Sequence, residues 1–311
     1  MAEVATSASS SANSSARSDQ LLVVVDPVAR RMDGESVRIA KDVLSAGASH
    51  TKVCLPDDPE EFARALRRRG SRRPVVIGDD RALLRAVALL HRHRELSGCS
   101  LSVVPVGSVL GLSRSLGLPS GAVAAARAVL AGAERRLDLL VDDSDGVVLG
   151  EVGIPPGPGQ GHGSPSAGGG PGAEADADSG ASGPGPAHPW LRTCQSLVRT
   201  LASSRPARTA LAPGAAGPTR LRVEVDGATL VDLDQPVEAV SVAPGAAGAA
   251  VVEVRPLAAG AETAPLTASG HTVTVSGAHF RYRADAIECG PVGTRTWVAQ
   301  EGAWGLTLPM G

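Results

Sequence analysis

Between residues 20 and 141 short apolar runs alternate with segments that carry helix signals, and this alternation constrains the fold more than any other feature of the chain. Residues 21–25 form a continuous, largely β-branched apolar run, the pattern of a strand buried on both faces. The run ends at Asp26-Pro27, and a helix is expected around residues 35–45, closed by Gly47. Residues 51–55 read as a second strand. The next helix is marked by Asp58 as cap, Pro59 in the first turn, Glu60 and Glu61 at the positive dipole end, and Arg67–Arg69 with Gly70 at the close. A third strand is expected over 74–77 and a third helix over 81–95, with Leu83, Leu84, Val87 and Leu90 on its apolar face. A fourth strand over 101–104 and a helix over 123–134 follow. Such alternation predicts an open parallel sheet covered on both faces, which binds ligands beyond the carboxyl ends of its strands. Gly78 and Gly107 fall at two of those ends, each opening toward a helix, where backbone N–H groups could meet a phosphate.

The pattern changes after residues 137–141. Residues 153–189 are dominated by Gly, Pro, Ser and Ala, cannot bury a core, and are expected to form a disordered loop. A short helix is expected over 190–201. From Arg220 the chain alternates: Leu221/Val223/Val225, Val237/Val240/Val242, Val251/Val252/Val254, Val273/Val275 and Phe280/Tyr282, with turn signals at Asp226-Gly227 and Ser276-Gly277. That is an all-β pattern with one solvated face. With 311 residues there is chain enough for two cores. The expected organisation is a disordered N-terminus over 1–19, an α/β Rossmann-like nucleotide domain over 20–135, and an all-β sandwich domain over 136–311 interrupted by the 153–189 loop.

Charge and composition exclude several classes of function. With 30 basic against 32 acidic side chains, no whole-chain field draws the protein to nucleic acid or to an anionic membrane. Aromatics make up only 2%, which leaves no stacking platform for bases. Cys54, Cys99, Cys194 and Cys289 lie far apart with no C-x-x-C pair, which argues against a zinc or redox site and suits a reducing compartment. The first twenty residues have no apolar core of a signal peptide, and no uncharged apolar run is long enough to span a bilayer. The expected location is cytoplasmic.

The order and spacing of four segments carry a resemblance. They are Gly78-Asp79-Asp80-Arg81-Ala82-Leu83, then Pro105-Val106-Gly107-Ser108, then Arg114-Ser115-Leu116-Gly117-Leu118-Pro119, then Arg136-Leu137-Asp138-Leu139. Over residues 20–141 the chain resembles the diacylglycerol kinase catalytic family, soluble bacterial lipid kinases related in fold to NAD kinases. Trp304–Pro309 is similar to that family's closing strand. The resemblance implies a two-domain lipid kinase-like architecture, ATP with Mg²⁺ between the domains, and phosphoryl transfer to a lipid hydroxyl. Gly78, Asp79, Asp80, Arg81, Gly107 and Ser108 become the candidate cofactor-binding residues, with Asp80 the one catalytic candidate. The partners it admits are a lipid substrate at a membrane surface and a second copy of the chain.

Against that pattern the loops are substituted. The family's first loop, Asn-Pro-x-Ser/Ala-Gly, reads Asp26-Pro27-Val28-Ala29-Arg30. In its Gly-Gly-Asp-Gly-Thr loop only Gly78 and Asp80 persist, and Asp79, Arg81 and Ala82 stand for Gly, Gly and Thr. In its Gly-Thr-x-Asn-Asp loop, Ser108 keeps the hydroxyl while Leu110 and Gly111 replace the Asn-Asp pair. A side chain where a glycine allowed close approach blocks a phosphate. An added carboxylate repels a triphosphate by about 4 kcal/mol per charge pair at 4 Å and an effective dielectric near 20. Arg81 could offset this, or pair with Asp79 or Asp80 and close the site. The stretch matching the family's general-base motif is read at residues 247–256, with Val251 nearest the base and Glu253 an outside candidate on a solvated strand face. These substitutions predict weakened or lost transfer. A kinase with an altered site and a scaffold using the old cleft are the alternatives.

Other signals have plainer readings. His91 and His93 are two apart and diverge on a helix, so no metal site is expected there. Gly157-x-Gly159-x-Gly161 follows no strand, which removes the context of a dinucleotide loop, and no Gly-x-Ser-x-Gly elbow is present. Asp138 reads as a structural contact at the domain junction. Asp142, Asp143 and Asp145 read as a solvated turn, and Arg67–Arg69 with Arg72 and Arg73 as a solvated helix end rather than a contact to anionic lipid.

Overall fold

Four parallel strands open the fold of the computed structural model, which describes residues 20–156, 219–257 and 264–310. They are β1 (Gln20–Val25), β2 (His50–Cys54), β3 (Arg73–Gly78) and β4 (Ser100–Pro105), in the spatial order β4-β3-β1-β2. The connections carry α1 (Pro27–Met32), α2 (Gly34–Gly47), α3 (Pro59–Arg67) and α4 (Asp80–Arg92), and α5 (Gly111–Ser115) and α6 (Ala122–Ala131) follow β4. Leu22, Val24, Val76, Leu101 and Val103 pack with Phe62, Leu66, Leu83 and Val87 on one face of the sheet. Leu21, Val23, Val75, Ile77 and Val104 pack on the other with Val37, Leu44, Ala126 and Val129. Burial on both faces is why these strands are uninterrupted apolar runs.

The remaining strands form an all-β region: β5 (Ala133–Asp142), β6 (Val147–Val148), β7 (Val152–Ile154), β8 (Thr219–Val225), β9 (Ala228–Val231), β10 (Pro236–Pro244), β11 (Ala250–Pro256), β12 (Leu266–Gly270), β13 (Thr272–Ala284) and β14 (Ile287–Leu308). β7 and β8 each pair with both β10 and β13, drawing the strands around one core of Val223, Val240, Val252, Val275, Tyr282 and Trp297. β14 joins the two regions. Along its length it is antiparallel to β13 and β5, and its Gly305-Leu306 step runs parallel to Ser100-Leu101 of β4. A buried hydrogen bond from Ser102 Oγ to Thr307 Oγ1 (2.9 Å) marks this seam.

The α/β-then-β architecture is the one expected from the sequence. Two short helices were not legible, α1 and α5, and the expected helix over 123–134 stops at Ala131. A Cβ at Gly132 would lie 2.3 Å from the carbonyl oxygens of both Ala128 and Leu308, so the chain leaves the helix where β14 comes close. The expected N-terminal disorder, the helix over 190–201, the Gly157–Gly161 pattern and all of the 153–189 loop beyond Pro156 fall outside the described residues. Residues 153 and 154 belong to β7 instead, paired with β10 and β13.

Candidate functional site

Three loops meet at the carboxyl ends of β1, β3 and β4, stitched by backbone hydrogen bonds from Asp26 N to Ile77 O (2.8 Å), Val106 N to Gly78 O (2.9 Å) and Asp80 N to Val109 O (2.9 Å). Each loop carries or receives a buried aspartate. Asp26, Asp79 and Asp80 are 2%, 7% and 1% exposed, which fixes what their carboxylates can reach.

Asp26 is the N-cap of α1, with Pro27 at the first helical position. Its Oδ2 accepts from Val28 N (2.9 Å) and Ala29 N (3.3 Å), and its Oδ1 accepts from Arg85 Nη1 of α4 (2.8 Å). Arg85 also lies 5.5 Å over the Phe62 ring. Asp79 is the N-cap of α4, its Oδ1 accepting from Arg81 N (3.1 Å) and Ala82 N (3.2 Å). Burial pushes the Asp79 carboxyl above its ordinary pKa. The amide of Ala82 opposes this, and the Asp26 charge adds to it.

Asp80 points away from its own helix and into the loop after β4. Its Oδ2 accepts from Leu112 N (2.8 Å), and its Oδ1 accepts from Ser113 N (2.9 Å) and Ser113 Oγ (2.6 Å). Leu110, the residue before α5, makes no capping bond of its own, so Asp80 caps that helix from outside.

The glycines serve these acids. A Cβ on Gly78 would lie 2.6 Å from Ala82 Cβ and 2.9 Å from Asp26 Cβ, and one on Gly107 would lie 3.0 Å from Asp79 Cβ. Gly107 also has φ +133°, a conformation that favours glycine. The close approach that a phosphate would need is made by aspartate side chains.

Of the six sequence candidates, Gly78, Asp79, Asp80 and Gly107 converge in the loops. Arg81 is exposed and forms no ion pair among the described residues, and Ser108 is exposed. The cation that enters the cluster is Arg85, one turn beyond Arg81 on the same helix face. The spacing of four residues was the available signal.

In the all-β region Val251 is 46% exposed on β11, and Glu253 pairs with its neighbour Arg255 (2.9 Å), so neither reaches the loops. Sequence reasoning missed Asp285, in the turn between β13 and β14. Its carboxylate accepts from Leu149 N (2.9 Å), Gly150 N (2.7 Å) and Glu151 N (3.0 Å). A Cβ on Gly150 would lie 2.8 Å from Asp285 Oδ1 and 3.0 Å from Leu112 Cδ1 of α5, which places this acid beside the loop that Asp80 organises. Burial raises the pKa of Asp285; its three amides oppose the rise, and the charge of Asp80 adds to it. Asp138 joins the turn before β11 to the irregular stretch of β14, accepting from Gly248 N (2.9 Å) and Gly302 N (2.7 Å).

A triphosphate with Mg²⁺ does not fit this arrangement. The amides that open α1, α4 and α5 already donate to carboxylates, and an anion there would meet Asp26, Asp79 and Asp80, with Arg85 paired to Asp26 and the exposed Arg81 charge acting on Asp79. Among the described residues no group of three or more His, Cys, Asp or Glu side chains is arranged to hold a metal ion.

Residues 20–141 match the family described as the diacylglycerol kinase catalytic domain. No curated protein matches the sequence. Among solved structures, a diacylglycerol kinase from Bacillus anthracis strain Sterne superposes with a TM-score of 0.60 at 12% identity, covering 93% of this chain and 97% of that one. A putative diacylglycerol kinase from the same strain superposes with a TM-score of 0.62 at 12% identity, covering 93% and 96%. At that identity the likeness establishes the shared two-part fold.

Proposed function

We propose, on the premise that residues 20–141 belong to the diacylglycerol kinase catalytic domain family, that this chain keeps a lipid-kinase architecture and has lost phosphoryl transfer. What remains is a binding scaffold. One observation carries the reading: the Asp80 carboxylate accepts from Leu112 N, Ser113 N and Ser113 Oγ, three of its roughly four acceptor sites. It is buried and caps the loop that would have faced a cofactor. Transfer of a phosphoryl group rests on positioning and neutralising its charge. Here amides that open α1, α4 and α5 donate to carboxylates, and two of the added side chains, Asp26 and Asp79, are buried acids.

Calorimetry of the full chain with ATP and Mg²⁺ tests this. The expected result is no binding at millimolar nucleotide and no phosphate transfer to diacylglycerol in mixed micelles. Micromolar binding that Arg81→Ala abolishes would overturn the reading in favour of an altered-site kinase, because Arg81 is exposed and its loss leaves the fold intact.

A further inference from the structure

The turn that leads from α4 into β4 breaks a local rule. α4 closes with bonds from Arg94 N to His91 O (2.8 Å) and from Glu95 N to Leu90 O (2.9 Å), and Arg94 sits at φ +57°. A helix end closed in this way favours glycine at the left-handed position. Here the position holds an arginine whose exposed side chain makes no ion pair among the described residues. Arg92, in the last turn of the helix, is also exposed and unpaired among them. Beyond both, Leu96 and Cys99 are buried, and a bond from Cys99 N to Leu96 O (3.4 Å) closes the next turn. Ser97 and Gly98 are exposed at its tip. The Ser97 hydroxyl makes no hydrogen bond among the described residues, and a Cβ on Gly98 would meet nothing within 4 Å.

Helix ends commonly carry cations to complement the dipole, which accounts for Arg92. It does not account for Arg94, which lies past the helix in a backbone conformation that its side chain disfavours. Arginines five and three residues before an exposed serine form the charge pattern that an arginine-directed serine kinase reads with its own acids. A receiver for the product is also in place. Arg136 of β5 donates from Nη1 to Ser97 O (3.1 Å), and from Nε and Nη2 to Gly302 O (3.0 and 2.6 Å). A phosphate on Ser97 would stand beside this guanidinium, whose planar fork suits phosphate oxygens. The acids nearby are Glu134, 3.6 Å from Arg136, and Glu95, which pairs with Arg69. Ser71 carries a competing pattern, with Arg68 and Arg69 before it, but Arg69 is held by Glu95.

We propose that Ser97 is a phosphorylation site for an arginine-directed serine kinase, with Arg92 and Arg94 as recognition residues and Arg136 as the holder of the attached phosphate. The kinase moves the γ-phosphoryl group of ATP to Ser97 Oγ. The new O–P bond forms as the bond to the β-phosphate oxygen breaks, ADP leaves, and the hydroxyl proton passes to the kinase's carboxylate base. Ser97 precedes the amino end of β4, away from the strand-end loops, so the inference stands whether or not those loops bind nucleotide.

Incubation of the full chain with ATP, Mg²⁺ and purified protein kinase B, followed by tandem mass spectrometry, is the test. Phosphate is expected on Ser97. Arg94→Gly removes a guanidinium and gives the left-handed position the residue it favours, so the fold is kept while the labelling rate is expected to fall about tenfold or more. Arg38→Ala, a cation on α2 paired with Glu35 and Asp42, is expected to leave the rate unchanged. The phosphorylated chain is expected to melt at a higher temperature than the unmodified one. Arg136→Lys, which keeps the charge and loses the fork, is expected to remove most of that gain. No label on Ser97, label on Ser71 in its place, or a rate that Arg94→Gly leaves unchanged would each overturn the proposal. A melt that phosphorylation leaves level or lowers would overturn the part given to Arg136.

Discussion

The α/β loops and the turns of the all-β region use the same local chemistry with different consequences. In the all-β region Asp138, Asp226 and Asp285 each accept two or more backbone amides and hold turns, and Asp226 and Asp285 themselves adopt positive φ. Asp226 is exposed and Asp138 half-buried, while the Asp285 carboxyl is buried enough to raise its pKa. In the α/β region Asp26, Asp79 and Asp80 do the same at the first turns of α1, α4 and α5, but almost fully buried. A turn held by an aspartate loses no function. A helix N-terminus at the mouth of a parallel sheet is a ready anion site, and a built-in carboxylate occupies it. The comparison teaches that these acids act as internal anions, and substituting them one by one shows where that role matters to stability.

Asp80→Ala is expected to have the largest effect. It leaves Leu112 N, Ser113 N and Ser113 Oγ without their acceptor in a site where the carboxylate is 1% exposed. Losing three charge-assisted bonds in a buried site costs about 3–5 kcal/mol. Urea denaturation reads the loss. A stable variant with altered nucleotide binding would instead assign Asp80 to a cofactor and break the comparison.

Gly78→Ala comes next. The new methyl group would meet Ala82 Cβ and Asp26 Cβ at 2.6 and 2.9 Å, both fixed close to the backbone. Overpacking of this kind costs about 1–3 kcal/mol. Gly111→Ala, at the first position of α5, is the control. Nothing lies within 4 Å of its added Cβ, and its stability is expected to stay level or rise.

The strands of the α/β region were legible because burial on both faces writes them as apolar runs, as in Val75-Val76-Ile77. α1 was signalled by Asp26-Pro27, a cap and first-turn pair, yet six residues give no periodicity to confirm it. The span of β14 was hidden for another reason: its partners β13, β5 and β4 are set by tertiary pairing, and only its end resembled a strand. The site was half legible. Sequence names Asp80 as an acid in a glycine loop, but its acceptor role depends on amides 32 and 33 residues away. Asp285 depends on amides 134 to 136 residues away, and no local pattern announces it.

Asp138→Ala is expected to have a smaller effect than either buried substitution. It frees Gly302 N and Gly248 N, but both residues are partly exposed to water, so about 1–2 kcal/mol is expected in the same denaturation experiment. A loss as large as that of Asp80→Ala would mean that burial does not separate the two regions.

The smallest effect is also the sharpest in sign, because Asp79 and Asp226 should respond to pH in opposite directions. Burial, with the Asp26 charge adding to it, raises the Asp79 pKa above 3.8, so between 3.8 and that raised value the folded state holds more protons than the unfolded state. Wild-type stability falls as pH rises through that window. Asn caps a helix as well as Asp does, so Asp79→Asn should gain on the wild type as pH rises and keep the gain at neutrality. The amides of Thr272 and His271 lower the Asp226 pKa below 3.8. Its contribution is fully present above 3.8 and is lost as pH falls through the folded value, so Asp226→Asn should be less stable than the wild type at pH 7 and converge with it in acid. Denaturation midpoints measured from pH 3 to 7 should therefore show the two difference curves diverging upward and downward from a common acid limit. If both variants lose stability toward neutral pH, Asp79 is a turn-holding acid like Asp226, and the buried anion cluster in the α/β loops does not strain its own fold.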